Sequence, residues 1–247
     1  MRILISIDDT DNLESRGTGE LASLIAEELQ ENGWGRADFV TRHQLLVHPD
    51  IPYTSHNSAM CFSAEIAEGS LEKVIAHAGA FLQRESAPEA DPGLCVAVLD
   101  RLTAPDRLLT FGYKAKEKVL DKEEAYALAA SLGLHLSEHG GTGQGIIGAL
   151  AGAGLRLGGN DGRLKGSIKV PGGAGLVRVR ELRELPEVDR VATTAGILVP
   201  DEDLVRMGEK PKTVMHDGGS VLLVSAVEPD GSEVRWQTLH RKELRGY

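Results

Sequence analysis

RILISIDDTDN, residues 2–12, is an apolar run that ends in three aspartates. The segment 2–7 is short, rich in Ile and bounded by polar residues, which predicts a buried strand. Asp8, Asp9 and Asp11 then fall within four positions. Carboxylates that close repel one another, and a cation is the simplest compensation. Side chains alternate along a strand, so Asp8 and Asp9 point to opposite sides unless the chain turns there.

The next stretch, NLESRG (12–17), reads as a turn. Leu21, Leu24, Ile25 and Leu29 follow at helical spacing, and Gly33 stops that helix. Arg16-Gly17-Thr18-Gly19 sits at its start. Helix N-termini attract anions through free N–H groups, and Gly17 and Gly19 would let a phosphate approach the backbone. Thr18 is a candidate cap or a candidate catalytic hydroxyl. Mg²⁺ takes one or two carboxylates plus phosphate oxygens, so Asp8, Asp9 and Asp11 are candidate metal ligands. Asp9 or Asp11 could instead serve as a base. A phosphatase-type reading of Asp9-Thr10-Asp11 is weaker, because Leu13 stands where that signature wants Thr or Val.

The remaining pattern alternates. Strands are predicted over 37–48, 59–66 and 93–100. Helices are predicted over 70–85 (Ser70 as N-cap), 104–119, weakened by Gly112, and 121–133 (Asp121 as N-cap, Gly133 after the end). Pro49 and Pro52 mark a loop. Beyond Leu155 the texture changes to turn clusters between short runs such as SIKV, LVRVREL, AGILVP, SVLLVSAV and EVRWQTL. The last two predict a hairpin turning at Asp230-Gly231. The expected class is α+β: a mixed sheet flanked by helices in 1–155, and a smaller β-rich domain in 156–247.

A second glycine loop, His139-Gly140-Gly141-Thr142-Gly143-Gln144-Gly145, precedes the small-residue helix IIGALAGAG. It lacks the GK[ST] of a P-loop, and no clear strand leads into it. One reading is a second phosphate cradle, with His139 donating to phosphate. The other is a tight turn, with His139 as a cap. Lys114, Lys116 and Lys118 include a candidate cation for a terminal phosphate, and Lys114 is taken as that cation. Arg42, His43, Tyr53, His56 and Asn57 bracket a loop and could line a pocket.

Composition narrows the classes. The net charge is −10 and aromatics are 4%, which argues against a broad basic nucleic-acid face or a base-stacking platform. Arg178, Arg180, Arg183 and Arg190 alternate with Glu181, Glu184 and Glu187, as on a solvated charged face. Cys61 and Cys95 lie in apolar runs without CxxC spacing, so buried free thiols are expected and structural zinc is not. The first apolar run is too short for a secretory signal, and no stretch reaches membrane-span length. A cytoplasmic location is expected.

Several pieces occur in a familiar order: IDDTD (7–11), the following RG with Thr18 before a helix, IPY (51–53), NSAMCF (57–62), DPG (91–93), KAKEKVL (114–120) and GIIGALAGAG (145–154). Over roughly residues 1–155 the chain resembles the archaeal agmatinylcytidine synthetases, which attach agmatine to the wobble cytidine of an isoleucine tRNA. The resemblance implies a kinase-like, ATP-dependent domain that phosphorylates an oxygen on the cytosine ring, which agmatine then displaces. It implies Asp8, Asp9 and Asp11 at Mg²⁺–ATP, Thr18 at a threonine the family phosphorylates, and loop 139–145 at the ATP phosphates. Here Thr18 lies between glycines rather than in a Cys-Thr-Thr setting, and HGGTGQG carries no Lys or Arg. The OB-fold and zinc ribbon of the family have no match in the 247 residues.

The expected function is an ATP/Mg²⁺-dependent phosphotransferase or ligase-type enzyme acting on a small molecule or modified nucleotide. The alternatives are action on tRNA itself, which the acidic balance disfavours, and non-catalytic nucleotide binding.

Overall fold

The computed structural model describes residues 1–51, 57–170, 175–228 and 233–247. Tyr53, His56 and the Asp230-Gly231 turn lie outside them. The chain divides into two compact units, Met1–Gly158 and Gly159–Tyr247.

Unit 1 runs β1 (Arg2–Asp8), α1 (Thr18–Glu31), β2 (Gly35–Ala37), β3 (Thr41–Gln44), β4 (Ser58–Ile66), α2 (Leu71–Glu85), β5 (Gly93–Val98), a 3₁₀ turn (Leu99–Arg101), α3 (Pro105–Glu117), α4 (Lys122–Leu132), β6 (His135–Glu138) and α5 (Gly145–Gly158). The strand order is β6-β5-β1-β4-β3, with β2 also on β4. Every pairing in this unit is antiparallel.

β1 is the central strand, and its alternation decides what packs where. Ile3, Ile5 and Ile7 join Leu21, Ile25 and Leu29 of α1 and Val74, Phe81 and Leu82 of α2 in one core. The other face carries Leu4, Ser6 and Asp8, and α5 lies against it. A Cβ at Gly152 would come within 2.6 Å of Ser6 Oγ, and one at Gly148 within 1.7 Å of Asp8 Oδ2. The i, i+4 glycines of α5 thus let it settle on the polar side of β1. α3, α4 and α5 share a second core around Leu108, Phe111, Leu128 and Ile146. Gly112, which weakened the helix expected over 104–119, faces Ala151 O at 2.9 Å from a hypothetical Cβ, so its small size serves that helix contact. Both cysteines are buried and free. Burial pushes the Cys61 thiol up to about 12.

Unit 2 contains β7 (Arg163–Leu164), β8 (Leu176–Arg178), α6 (Val179–Leu182), β9 (Arg190–Thr193), β10 (Leu204–Arg206), β11 (Thr213–His216), β12 (Gly219–Ala226) and β13 (Val234–Thr238). Its order is β7-β11-β12-β13-β10-β8, with β9 parallel to β12 and β10 parallel to β13. β12 is buried on both faces: Leu222 and Val224 enter one core, Val221 and Leu223 the other. The α+β class holds, with mixed pairing, and β12–β13 form the expected antiparallel pair.

Some boundaries differ from the sequence expectations. The single strand predicted over 37–48 is two, because Asp38–Val40 leave the ladder between β2 and β3. Ser70 stands before α2 without a side-chain capping bond, whereas Asp121 caps α4 by accepting from the Glu124 N–H at 2.7 Å. A strand, β6, does lead into the second glycine loop. SIKV forms no strand, and AGILVP makes only a single bridge, Ala192 to Leu198. The arginine-rich stretch is neutralised by a different partner set: Arg180 and Arg178 meet Glu202, and Arg183 meets Asp201.

Candidate active site

The end of β1 opens into a cleft of about 430 Å³ in unit 1. Asp8, Asp9 and Asp11 line it together with Gly17, Thr18 and Gly19 from the start of α1. The turn inferred between adjacent aspartates is present: Asp9 has φ 52°, a left-handed conformation that few non-glycine residues adopt. In an antiparallel sheet no common carboxyl edge gathers ligands. The cleft is instead placed by this turn and by the glycine face of α5.

Asp8 is only 9% exposed, set over Gly148. Burial and the charges of Asp9 and Asp11 push its carboxyl up to about 8, against the pull of the Asp9 backbone. Burial, then Asp91 and Asp11, push Asp9 up to about 6. Among the described residues no basic side chain forms an ion pair with Asp8 or Asp9. Neither Asp8 nor Asp9 therefore has a basic partner among the described residues to offset its charge when ionised. Thr18 is 6% exposed and is not the helix cap: Gly17 holds that position, and Thr18 is the first helical residue. Thr10 Oγ1 donates to Thr18 Oγ1 at 3.1 Å, which donates to Asp11 Oδ1 at 3.1 Å. A buried hydroxyl thus rests on a cleft carboxylate.

The second glycine loop behaves differently. The Thr142 N–H and Gly143 N–H both donate to Asp91 Oδ1, and Thr142 Oγ1 donates to Asp91 Oδ2 at 2.7 Å. His139 N and Gly145 N bond the carbonyls of Pro92 and Asp91 at 2.8 and 3.1 Å. Donors expected to hold phosphate are occupied by the Asp91 carboxylate and by the carbonyls of Asp91 and Pro92, just before β5. Only Gln144 and Gly145 of this loop line the cleft. His139 packs against Gly79, its Nε2 shares a hydrogen bond of 2.8 Å with Ser137 Oγ, and burial lowers its pKa. Gly140, Gly141, Thr142 and Gly143 lie away from the cleft lining.

Arg16 points to Glu85 at 3.4 Å, and Lys114 pairs with Glu124 at 3.0 Å. Neither lines the cleft, but Lys118 does, at the end of the same helix as Lys114. Arg42 and Asn57 are in the wall, and Arg42 Nε donates to Ser58 Oγ at 3.0 Å. His43 is instead fully buried against Thr41. Ile51, Val119 and Leu120 give the cleft an apolar side. Asp91 has a role that the sequence did not announce. Its DPG motif was visible, but nothing along the chain paired its carboxylate with Thr142.

Among the described residues no three His, Cys, Asp or Glu side chains converge as a ready-made metal cage. Mg²⁺ does not require one, since substrate phosphates and water complete its shell. Asp9 and Asp11 on one cleft wall fit a cation that arrives with a nucleotide.

An α+β unit with an acid-lined cleft at the end of its central strand is the class that fold and site define. Comparison narrows it. No family model matches the chain. Over 161 residues it is 34% identical to the isoleucine-tRNA 2-agmatinylcytidine synthetase TiaS of Methanosarcina acetivorans, covering 63% of this chain and 36% of that protein. The crystal structure of apo TiaS, an agmatidine synthetase of isoleucine tRNA, aligns with a TM-score of 0.53 at 26% identity, over 62% of this chain and 35% of the other. A crystal structure of TiaS in complex with isoleucine tRNA and ATP shares the fold over 82% of this chain and 50% of the other, with a TM-score of 0.55 at 22% identity. The chain is therefore related to these synthetases, as the ordered motifs implied, and spans about a third of the length of the curated relative it matches. The expectation that acidic composition disfavours tRNA finds no support, since the relatives are tRNA enzymes. No helix among the described residues is long and apolar enough to cross a membrane.

Proposed function

We propose that the cleft of unit 1 binds ATP with Mg²⁺ and transfers the terminal phosphoryl group to the ring oxygen of a tRNA cytidine, preparing that carbon for attack by an amine. The observation that carries this reading is the pair Asp8 and Asp9, crowded together without a basic partner beside the open start of α1. Mg²⁺, when bound, would neutralise phosphate charge and draw the carboxyl groups into their ionised form.

Asp9 and Asp11 would hold the cation. Asp8, against Gly148, fixes the turn and would add negative charge from behind once a bound cation draws it into its ionised form. Backbone N–H groups at Gly17–Gly19 face the phosphates. Lys118 replaces Lys114 as the cation that offsets developing charge on the transferred group. Arg42, held by Ser58, and the apolar side at Ile51, Val119 and Leu120 receive the base or the acceptor. The Thr18 hydroxyl, bonded to Asp11, can lose its proton to that carboxylate and act as a phosphoryl acceptor. Asp91 keeps loop 139–145 folded back and adds negative charge behind Asp9.

Incubation of an isoleucine tRNA transcript with the protein, Mg²⁺–ATP and agmatine, then nucleoside mass analysis, tests the proposal. An amine-bearing cytidine that requires ATP is expected. Unmodified tRNA despite ATP binding would refute the acceptor, and absence of both would refute the reading.

A further inference from the structure

Unit 2 holds three arginines outside every role given so far. Arg163 on β7 pairs in register with Val214 of β11. Cross-strand partners share a sheet face. Val214 packs there with Leu239 and Leu244, so the turn at 240–246 covers this face, and Leu244, 2% exposed, pins it. Arg241 and Arg245 flank Leu244 on that turn and are exposed. Arg163 is only 8% exposed. The other arginines discussed in this unit are satisfied: Arg178, Arg180 and Arg183 pair with carboxylates, and Arg190 donates to His216 O at 2.6 Å. Among the described residues no acceptor within hydrogen-bond distance serves the guanidinium of Arg163, Arg241 or Arg245. Nearby, Asp161 is buried, and Glu243 accepts from the His240 N–H at 2.7 Å.

A guanidinium this little exposed, with no acceptor among the described residues and only the nearby Asp161 carboxylate to offset its charge, is stabilised when an anion completes its hydrogen bonds. Burial first, then the charges of Arg241 and Arg245, lower the pKa of Arg163, with Asp161 opposing. Three planar forks at one surface suit the tetrahedral oxygens of a phosphate, which Arg binds bidentately. Two of the three stand exposed on a turn, which suits a phosphate within a polymer.

We propose that Arg163, Arg241 and Arg245 form a phosphate site on unit 2 that holds a backbone phosphate of RNA. The choice of RNA rests on the proposed tRNA function; the anion site itself does not.

Binding of a labelled isoleucine tRNA transcript is measured by anisotropy at several salt concentrations, for the wild type, Arg163→Gln and the exposed double variant R241Q/R245Q. Loss of one or two phosphate contacts should flatten the log–log salt slope by about 0.7–0.9 for each, with roughly tenfold weaker binding. The double variant avoids the buried position, so misfolding of Arg163→Gln cannot imitate the result. Unchanged affinity and slope in the double variant would overturn the proposal. If the wild type binds no tRNA, the RNA assignment falls; inorganic phosphate that raises the wild-type melting temperature, but not that of R241Q/R245Q, would then show a small-anion site instead. Mg²⁺–ATP binding in the unit 1 cleft is followed separately, so failure here is distinguishable from failure there.

Discussion

The two glycine-rich loops of unit 1 look alike in sequence and differ in what their backbone donors do. At 17–19 the loop opens onto the cleft: Gly17, Thr18 and Gly19 line it, and the Asp11 carboxylate takes the Thr18 hydroxyl. At 139–145 the donors fold back, with Thr142 and Gly143 bonded to Asp91. A glycine loop before a helix is thus a phosphate cradle only if nothing within the protein reaches its N–H groups first. Whether something does depends on a tertiary partner, here 51 residues away in sequence.

The sharpest way to break this comparison is to remove charge from the open loop's side. Asp9→Asn combined with Asp11→Asn should abolish Mg²⁺–ATP binding, seen as loss of nucleotide-dependent stabilisation. Retained binding would remove the cleft from the account. Next in size is Gly148→Ala. Its Cβ would meet Asp8 Oδ2 at 1.7 Å, so either helix or strand must move. Forced overpacking of this kind costs about 1–3 kcal/mol. Chemical denaturation should show that loss together with weaker nucleotide binding, and a neutral result would contradict the proposed packing of α5.

Asp91→Ala tests the closed loop. Thr142 and Gly143 lose their acceptor, which costs about 1–3 kcal/mol. Nucleotide affinity should change less than for Asp9→Asn. If it falls as far, the second loop is a phosphate site after all. Among the lysines, Lys118→Gln should weaken ATP binding about tenfold, the scale of a charge-assisted hydrogen bond. Lys114→Gln should have little effect, because its exposed pair with Glu124 is of the kind worth at most about 1 kcal/mol. Equal effects would erase the distinction drawn between them.

The pH dependence has a definite sign. Without ligand, Asp8 is held near 8 and Asp9 near 6, both above the usual 3.8. The folded chain therefore binds more protons than the unfolded chain between about pH 4 and 8. Stability is fullest below that window and falls as pH rises through it. Asp8→Asn should remove much of the fall and stabilise the unliganded protein near pH 8. Melting temperatures from about pH 5 to 8 check this; a steeper fall in the variant would contradict it.

Much of this site was legible in the sequence because it is local. Asp8, Asp9 and Asp11 follow one strand, Thr18 begins the next helix, and the turn at Asp9 is demanded by two adjacent carboxylates serving one cleft. The fold class was legible because apolar periodicity is also local. What the sequence hid is long-range. Asp91 capturing loop 139–145 needs the pairing of β5 with β6. Lys118 facing the cleft while Lys114 faces Glu124 depends on how α3 rotates against α5. Arg163 lying within electrostatic reach of Arg241 and Arg245 joins residues far apart along the chain, and no periodicity reports it.

The most direct test of the central claim is thermal unfolding of the wild type with and without Mg²⁺–ATP, repeated for Asp9→Asn. At ligand near 100 times its dissociation constant, binding adds about 2.7 kcal/mol, which moves the melting temperature by several degrees in a domain of this size. The expected shift needs Mg²⁺ and disappears in Asp9→Asn. A shift of equal size in both proteins, or one indifferent to Mg²⁺, would contradict the central claim.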